Sequence, residues 1–178
     1  TTEIYTLSLH DALPIFMTDT GNFAFSNTTA TTLTIASKLL QRIGNPSALH
    51  RKIWASFSTG SLAAFGRILT RVQGFCENRL IVSHITLKDC DELHITYADI
   101  EHAVNFLGNI RGAEVFVLIK ETAAATHRVS LRSAGTFSVS DYARAHEGGG
   151  HDFAAGATLY GTVDECIEQL TNFWSAQL

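Results

Sequence analysis

Arg128-Val129-Ser130-Leu131-Arg132-Ser133 alternates polar and apolar residues with period two. In a strand that spacing sends Val129 and Leu131 to one face and Arg128, Ser130 and Arg132 to the other. Upstream, Val115-Phe116-Val117-Leu118-Ile119 is an unbroken apolar run, the mark of a strand buried on both sides. Further back, Leu80-Ile81-Val82-Ser83-His84-Ile85-Thr86-Leu87 is β-rich and reads as another strand. Between these two, Thr96 and Asp99 form a capping box for a helix through Leu107, with Ile100, Ala103, Val104 and Leu107 as its inner stripe. Downstream, Ser138 to Ala145 reads as a short helix and Ala157 to Tyr160 as an edge strand. Thr162-Val163-Asp164-Glu165 is a second capping box. It opens a last helix with Val163, Cys166, Ile167, Leu170, Phe173 and Trp174 inward. Strands alternating with helices from residue 75 onward predict an α/β (α+β) domain on a mixed sheet.

The part before residue 75 is helical. Leu33, Ala36, Leu39, Leu40 and Ile43 recur at three- and four-residue spacing, and Gly44-Asn45-Pro46 stops that helix. A second helix is expected from Ser47 to about Ser56. A third is expected with Ser61 as its cap and Leu62, Phe65, Leu69 and Val72 inward. Thr1 to Ile15 shows no helical face continuing past residue 16 and resembles a translated sequencing adapter, so residues 1–16 are read as foreign sequence. The resulting division is 1–16, 17–57, a helical connector over 58–74, and a domain over 75–178.

Of 178 residues, 46% are apolar and 17% charged, enough apolar material for a core and too much for a disordered chain. No run of 18 apolar residues exists, so no membrane-spanning helix is expected. The three cysteines, Cys76, Cys90 and Cys166, have neither CxxC spacing nor an even count, which fits a reducing, cytoplasmic setting. A net charge of −4 means that any nucleic acid or phosphate must be met by a local basic pocket.

Three stretches could carry chemistry. Thr18-Asp19-Thr20-Gly21 places a short carboxylate before a glycine, suited to a hard divalent ion; the same residues make ordinary turns. Gly148-Gly149-Gly150-His151, followed by the small residues Ala154, Ala155 and Gly156, lets backbone N–H groups approach an anion while His151 donates a hydrogen bond or carries a proton. The alternative is a surface loop with a solvated histidine. Arg132 and Ser130 on the polar side of their strand could hold a phosphate, or could be a solvated sheet face. Between Lys120 and His151 lie four Lys/Arg, three Asp/Glu and three His, a local balance that favours an anion site. His84, His94 and His102 read as structural or surface residues, and Asp89, Asp91 and Glu92 as a solvated loop.

Taken in order, Thr-Asp-Thr-Gly, the Val-Ser-Leu-Arg-Ser strand and Gly-Gly-Gly-His-x-x-Ala-Ala-Gly resemble the DHH phosphoesterase family. The likeness is to its bifunctional nano-RNase and 3′,5′-bisphosphonucleotide (pAp) phosphatase subgroup, over about residues 17–178. The resemblance implies a remnant of a metal lobe, a connector and a complete DHH-associated substrate-binding domain. It implies two Mn²⁺ or Mg²⁺ ions, with Asp19 as one metal ligand. It implies a substrate clamp of Ser130, Arg132, Ser133, Gly148, Gly149, Gly150, His151, Ala155 and Gly156, with His151 the catalytic group. The expected substrates are short RNA oligonucleotides or pAp, and the expected assembly is a homodimer. The alternative is a non-catalytic nucleotide-binding module. The family's Asp-x-Asp and Asp-His-His motifs are absent, and Glu147 stands where relatives often carry glycine. One carboxylate cannot hold two ions, so the chain is expected to be inactive as a hydrolase by itself.

Overall fold

The computed structural model describes residues 9–23, 27–43, 45, 47–48, 50–51 and 57–178. The chain forms two compact units, Thr1–Ser56 and Phe57–Leu178.

In the first unit, α1 (Leu9–Asp19) and α2 (Ala30–Ile43) pack together. Leu13 and Met17, four apart on α1, are buried with Ala36 and Leu39 of α2. The helix therefore runs across the 16/17 boundary through Pro14, contrary to the expectation that residues 1–15 share no face with the chain beyond them. Of the predicted α2 stripe, Ala36 and Leu39 are buried, whereas Leu33 is exposed. Most of the helix expected over 47–56 lies outside the described residues.

The second unit is a six-stranded sheet ordered β1-β2-β3-β4-β6-β5. Its strands are β1 (Gln73–Phe75), β2 (Leu80–Ile85), β3 (Val115–Ala123), β4 (Thr126–Ser133), β5 (Gly149–His151) and β6 (Ala154–Tyr160). Of these, only β2 and β3 pair in parallel, and the other neighbours are antiparallel. A parallel pair needs a long crossover. Here it consists of α4 (Leu87–Leu93), a 3₁₀ turn (Tyr97–Ile100) and α5 (Ala103–Leu107). With α3 (Thr59–Thr70) these pieces cover one face of β2 and β3, burying Ile81, Ile85 and Leu118 against Ala64, Phe65, Ile68, Ile100, Val104 and Leu107. Past β3 the chain turns tightly into β4, and the next helix, α6 (Ser140–Ala145), lies on the opposite face with α7 (Val163–Trp174). There Val117, Val129, Leu131, Ala155, Ala157 and Leu159 meet Tyr142, Leu170 and Trp174. One face of the sheet is thus covered from β2 to β6, and on the other the helices lie over β2 and β3, with α5 reaching β4.

Several local expectations are corrected. Ser58, not Ser61, caps α3: its side chain accepts the Ser61 N–H at 3.0 Å. The buried stripe is then Ser61, Ala64, Phe65 and Ile68, leaving Leu62 and Leu69 exposed. That helix belongs to the sheet-bearing unit. The Thr96–Asp99 box is present but opens a 3₁₀ turn before α5; its predicted stripe is fully buried. Asp89 is no loop residue. It sits in α4, closes a capping box with Thr86, and is buried. Its carboxylate accepts from Arg67 Nη1 at 2.6 Å and Arg71 Nη2 at 2.9 Å, and Arg71 Nη1 donates to its other oxygen. The Arg71 guanidinium, foremost, holds this carboxyl well below the usual carboxylate range. The final capping box is as expected, with Thr162 Oγ1 accepting the Glu165 N–H and Glu165 accepting the Thr162 N–H.

Candidate anion-binding site

Register decides which side chains share a face. Directly paired residues on neighbouring strands project to the same side. Arg132 pairs with Ala154, and Ala154 pairs with His151, so one row crosses β4, β6 and β5. The next row is Ser130, Gly156 and Gly149, and the next is Arg128 with Thr158. All lie on the face that the helices cover only in part. Arg132 and His151 are two strands apart, roughly 10 Å between their backbones.

The middle row is a floor almost without side chains. A Cβ added to Gly149 would meet nothing within 4 Å, and one on Gly156 only the Val129 carbonyl at 3.6 Å. A ligand can therefore rest close to the backbone there. The neighbouring glycines serve other ends. At Gly148 a Cβ would strike the Gly156 carbonyl at 2.0 Å, so its bareness lets the incoming chain lie against β6. Gly150 has φ +142°, where side chains are strained. The run expected as a loop is thus largely a three-residue edge strand, whose outer backbone edge is free to meet an anion.

The turn after His151 is held from the covered side. Asp152 Oδ1 accepts from Ser138 Oγ at 3.1 Å and Ser140 Oγ at 3.0 Å, and the Val139 N–H donates to the Asp152 carbonyl at 2.7 Å. The Ser133 N–H donates to the Phe153 carbonyl at 3.1 Å, tying the same turn to β4. Sequence reasoning missed Asp152. Its signal is a serine pair two apart at the start of a helix, with an aspartate beside the histidine it fixes.

Arg132 is half-buried and donates to the Leu131 carbonyl at 2.9 Å. Burial lowers its pKa and Glu101 opposes that shift. Two expected clamp residues are placed elsewhere. Ala155 points into the covered face and is buried among Leu131, Ala157 and Leu170, as alternation requires when Ala154 and Gly156 face the other way. Ser133 follows the parity of Leu131, and its hydroxyl accepts the Gly135 N–H at 3.1 Å. Ser130, Arg132, Gly149, Gly156 and His151 are brought to one face.

Asp19 ends α1, is exposed, and its backbone carbonyl accepts from Asn27 Nδ2 at 3.0 Å. Among the described residues no three His, Cys, Asp or Glu side chains assemble as a metal-binding group. Each ion of a two-metal centre needs several oxygen or nitrogen ligands. The described residues therefore do not fit such a pair. Among them, too, no helix is long and apolar enough to cross a membrane.

Comparison with known proteins agrees with this architecture. The chain is 31% identical over 157 residues to the probable bifunctional oligoribonuclease and PAP phosphatase NrnA of Streptococcus mutans, covering 86% of this chain and 49% of that protein. It is 32% identical over 142 residues to the bifunctional oligoribonuclease and PAP phosphatase NrnA of Bacillus subtilis, covering 80% of this chain and 44% of that protein. The chain spans about half the length of these curated relatives. An exopolyphosphatase-related protein from Bacteroides fragilis shares the fold, with TM-score 0.81 and 23% identity over 93% of this chain and 51% of its own. Residues 77–177, more than half of the sequence and containing the sheet face just described, match the DHHA1 domain, and the chain belongs to that family.

Proposed function

We propose that this chain grips the phosphate-bearing end of a short oligoribonucleotide or of 3′-phosphoadenosine 5′-phosphate. The reaction such a grip would serve is phosphoester hydrolysis, which Mn²⁺ or Mg²⁺ would assist. The names of the Streptococcus mutans and Bacillus subtilis relatives support the substrate class. The observation that carries the reading is the row Arg132–Ala154–His151 on the partly covered sheet face, beside a glycine floor. Arg132 supplies a planar, permanently charged donor for phosphate oxygens, and His151 a second donor across the row. Ser130 adds a hydroxyl in the next row, beside the glycine floor. His151 is also the group on this face able to carry a proton to or from a leaving oxygen.

The grip alone is not expected to hydrolyse, because among the described residues no three His, Cys, Asp or Glu side chains assemble to hold a metal ion. Calorimetry with AMP on the 178-residue chain tests the binding. Micromolar-range affinity is expected, falling at least tenfold in Arg132→Ala and in His151→Ala, since a charge-assisted hydrogen bond contributes about 1.5–3 kcal/mol. Unchanged affinity in both variants would overturn the assignment. The same protein with Mn²⁺ and a diribonucleotide is expected to show no turnover; steady hydrolysis would refute the claim that these residues bind without cleaving.

A further inference from the structure

The second unit holds two lysines in opposite settings. Lys88 on α4 is exposed and lies 3.9 Å from the Glu92 carboxylate. Lys120 on β3 is half-buried, and among the described residues its amine makes no hydrogen bond or ion pair.

Register explains the second setting. Lys120 pairs with Ile85 of β2 on one side and with Arg128 of β4 on the other. Ile85 is buried, and so is Leu118, two residues back on the same face of β3. The lysine stem therefore rises among apolar neighbours, and its Cβ stands about 5 Å from that of Arg128. Arg128 is exposed and forms no ion pair among the described residues.

Two cations side by side, one of them half-buried, favour the amine without its proton. Burial foremost lowers the Lys120 pKa, then Arg128, with Arg132 adding to the effect; Glu101 opposes them. Of the adjacent pair only the amine can release a proton, because a guanidinium stays charged. A desolvated lysine next to a second cation is an activated nucleophile. The guanidinium beside it is a ready holder for a phosphate. A small electrophile whose leaving group is phosphate engages both at once, its anionic end on Arg128 and its electrophilic carbon within reach of Lys120.

We propose that Lys120 is a modification site, N-acylated by a small acyl phosphate whose phosphate group Arg128 holds. The neutral amine attacks the acyl carbon, and the bond from that carbon to the phosphate oxygen breaks. Inorganic phosphate leaves from Arg128, and the proton shed by the nitrogen passes to solvent. The acyl phosphate is the sole co-reactant, and nothing is oxidised or reduced. The product is an uncharged amide, which removes one positive charge from this sheet face. Lys88 lacks the arrangement, since its neighbour is a carboxylate. The site shares no residue with the grip at Arg132 and His151, so the two readings stand or fall separately.

The 178-residue chain, incubated with acetyl phosphate near neutral pH and mapped by peptide mass spectrometry, tests this. Lys120 is expected to gain an acetyl group at least about tenfold faster than Lys88, the scale of one charge-assisted contact. Excess inorganic phosphate is expected to slow Lys120 and leave Lys88 alone. Arg128→Gln, at an exposed position, separates holding from activation. It is expected to slow acetylation of Lys120 by acetyl phosphate severalfold more than acetylation by p-nitrophenyl acetate, an uncharged ester with no phosphate to hold. A Lys120 no faster than Lys88, indifference to inorganic phosphate, or equal slowing of the two reagents in Arg128→Gln overturns the assignment.

Discussion

At the scale of single residues, Asp89 shows how much a carboxylate can organise. It joins α3 to α4 through Arg67 and Arg71 and caps its own helix through Thr86, whose N–H and hydroxyl both donate to Asp89 Oδ2 at 2.9 and 2.8 Å. Removing it leaves two arginines facing each other with their common counter-charge gone. Loss of a fully buried partner costs about 3–5 kcal/mol, but both guanidiniums here reach solvent, so about 2 kcal/mol is expected for Asp89→Ala in urea unfolding. The pH dependence has a definite sign. A carboxyl depressed in the folded state contributes stability that is complete above its unfolded value, near 3.9 for aspartate, and is lost as pH falls through that value toward the folded one. Asp89→Asn should therefore lower the urea midpoint at neutral pH while flattening its decline below about pH 4. An unchanged acid limb would show that other carboxylates govern it. The sequence hid this residue because its partners lie 18 and 22 positions away, and an acidic cluster carries no mark of which member turns inward.

At the scale of elements, β5 is the weakest strand and the one that bears the site. All three of its residues are exposed, and it contributes none of the buried core. Its position comes from β6 on one side and the Asp152 anchor on the other. A methyl group at Gly150 would meet the Ala154 carbonyl at 2.5 Å on a backbone already at φ +142°. Gly150→Ala is thus expected to displace β5, cutting AMP affinity at least tenfold while the urea midpoint moves little. Equal losses of stability and binding would mean that the strand is more integral than its exposure indicates. The glycine run was readable in the sequence as a place of close backbone approach. That it forms a strand was not, because glycine has little strand preference of its own and pairing with β6 decides the matter. In β4 the period of two was unambiguous, and Arg128, Ser130 and Arg132 lie on the side it predicted. The same parity rule, extended to the small residues after His151, would have set Ala155 inward.

At the scale of the molecule, the two compact units meet in sequence between Ser56 and Phe57. The second has a core on each face of its sheet and all the residues of the candidate site. Residues 57–178 alone are expected to unfold in one cooperative urea transition and to bind AMP as the whole chain does. A fragment without a cooperative transition would show that the first unit is needed to complete the fold. The alternation of strands and helices was enough to predict a mixed sheet. The uncovered half of one face was not evident, since it depends on which side each connection takes. The crossover between the parallel strands goes to one side, while α6 and α7 go to the other.

Glu147 enters the edge strand with φ +50°, a backbone state that glycine adopts freely and glutamate does not. Its Oε2 accepts from the Tyr160 hydroxyl at 2.8 Å. That tether fixes a bend which a glycine there would leave loose. Fewer conformations then remain to be given up when an anion docks, so this chain secures by preorganisation what a suppler hinge would surrender as entropy on binding.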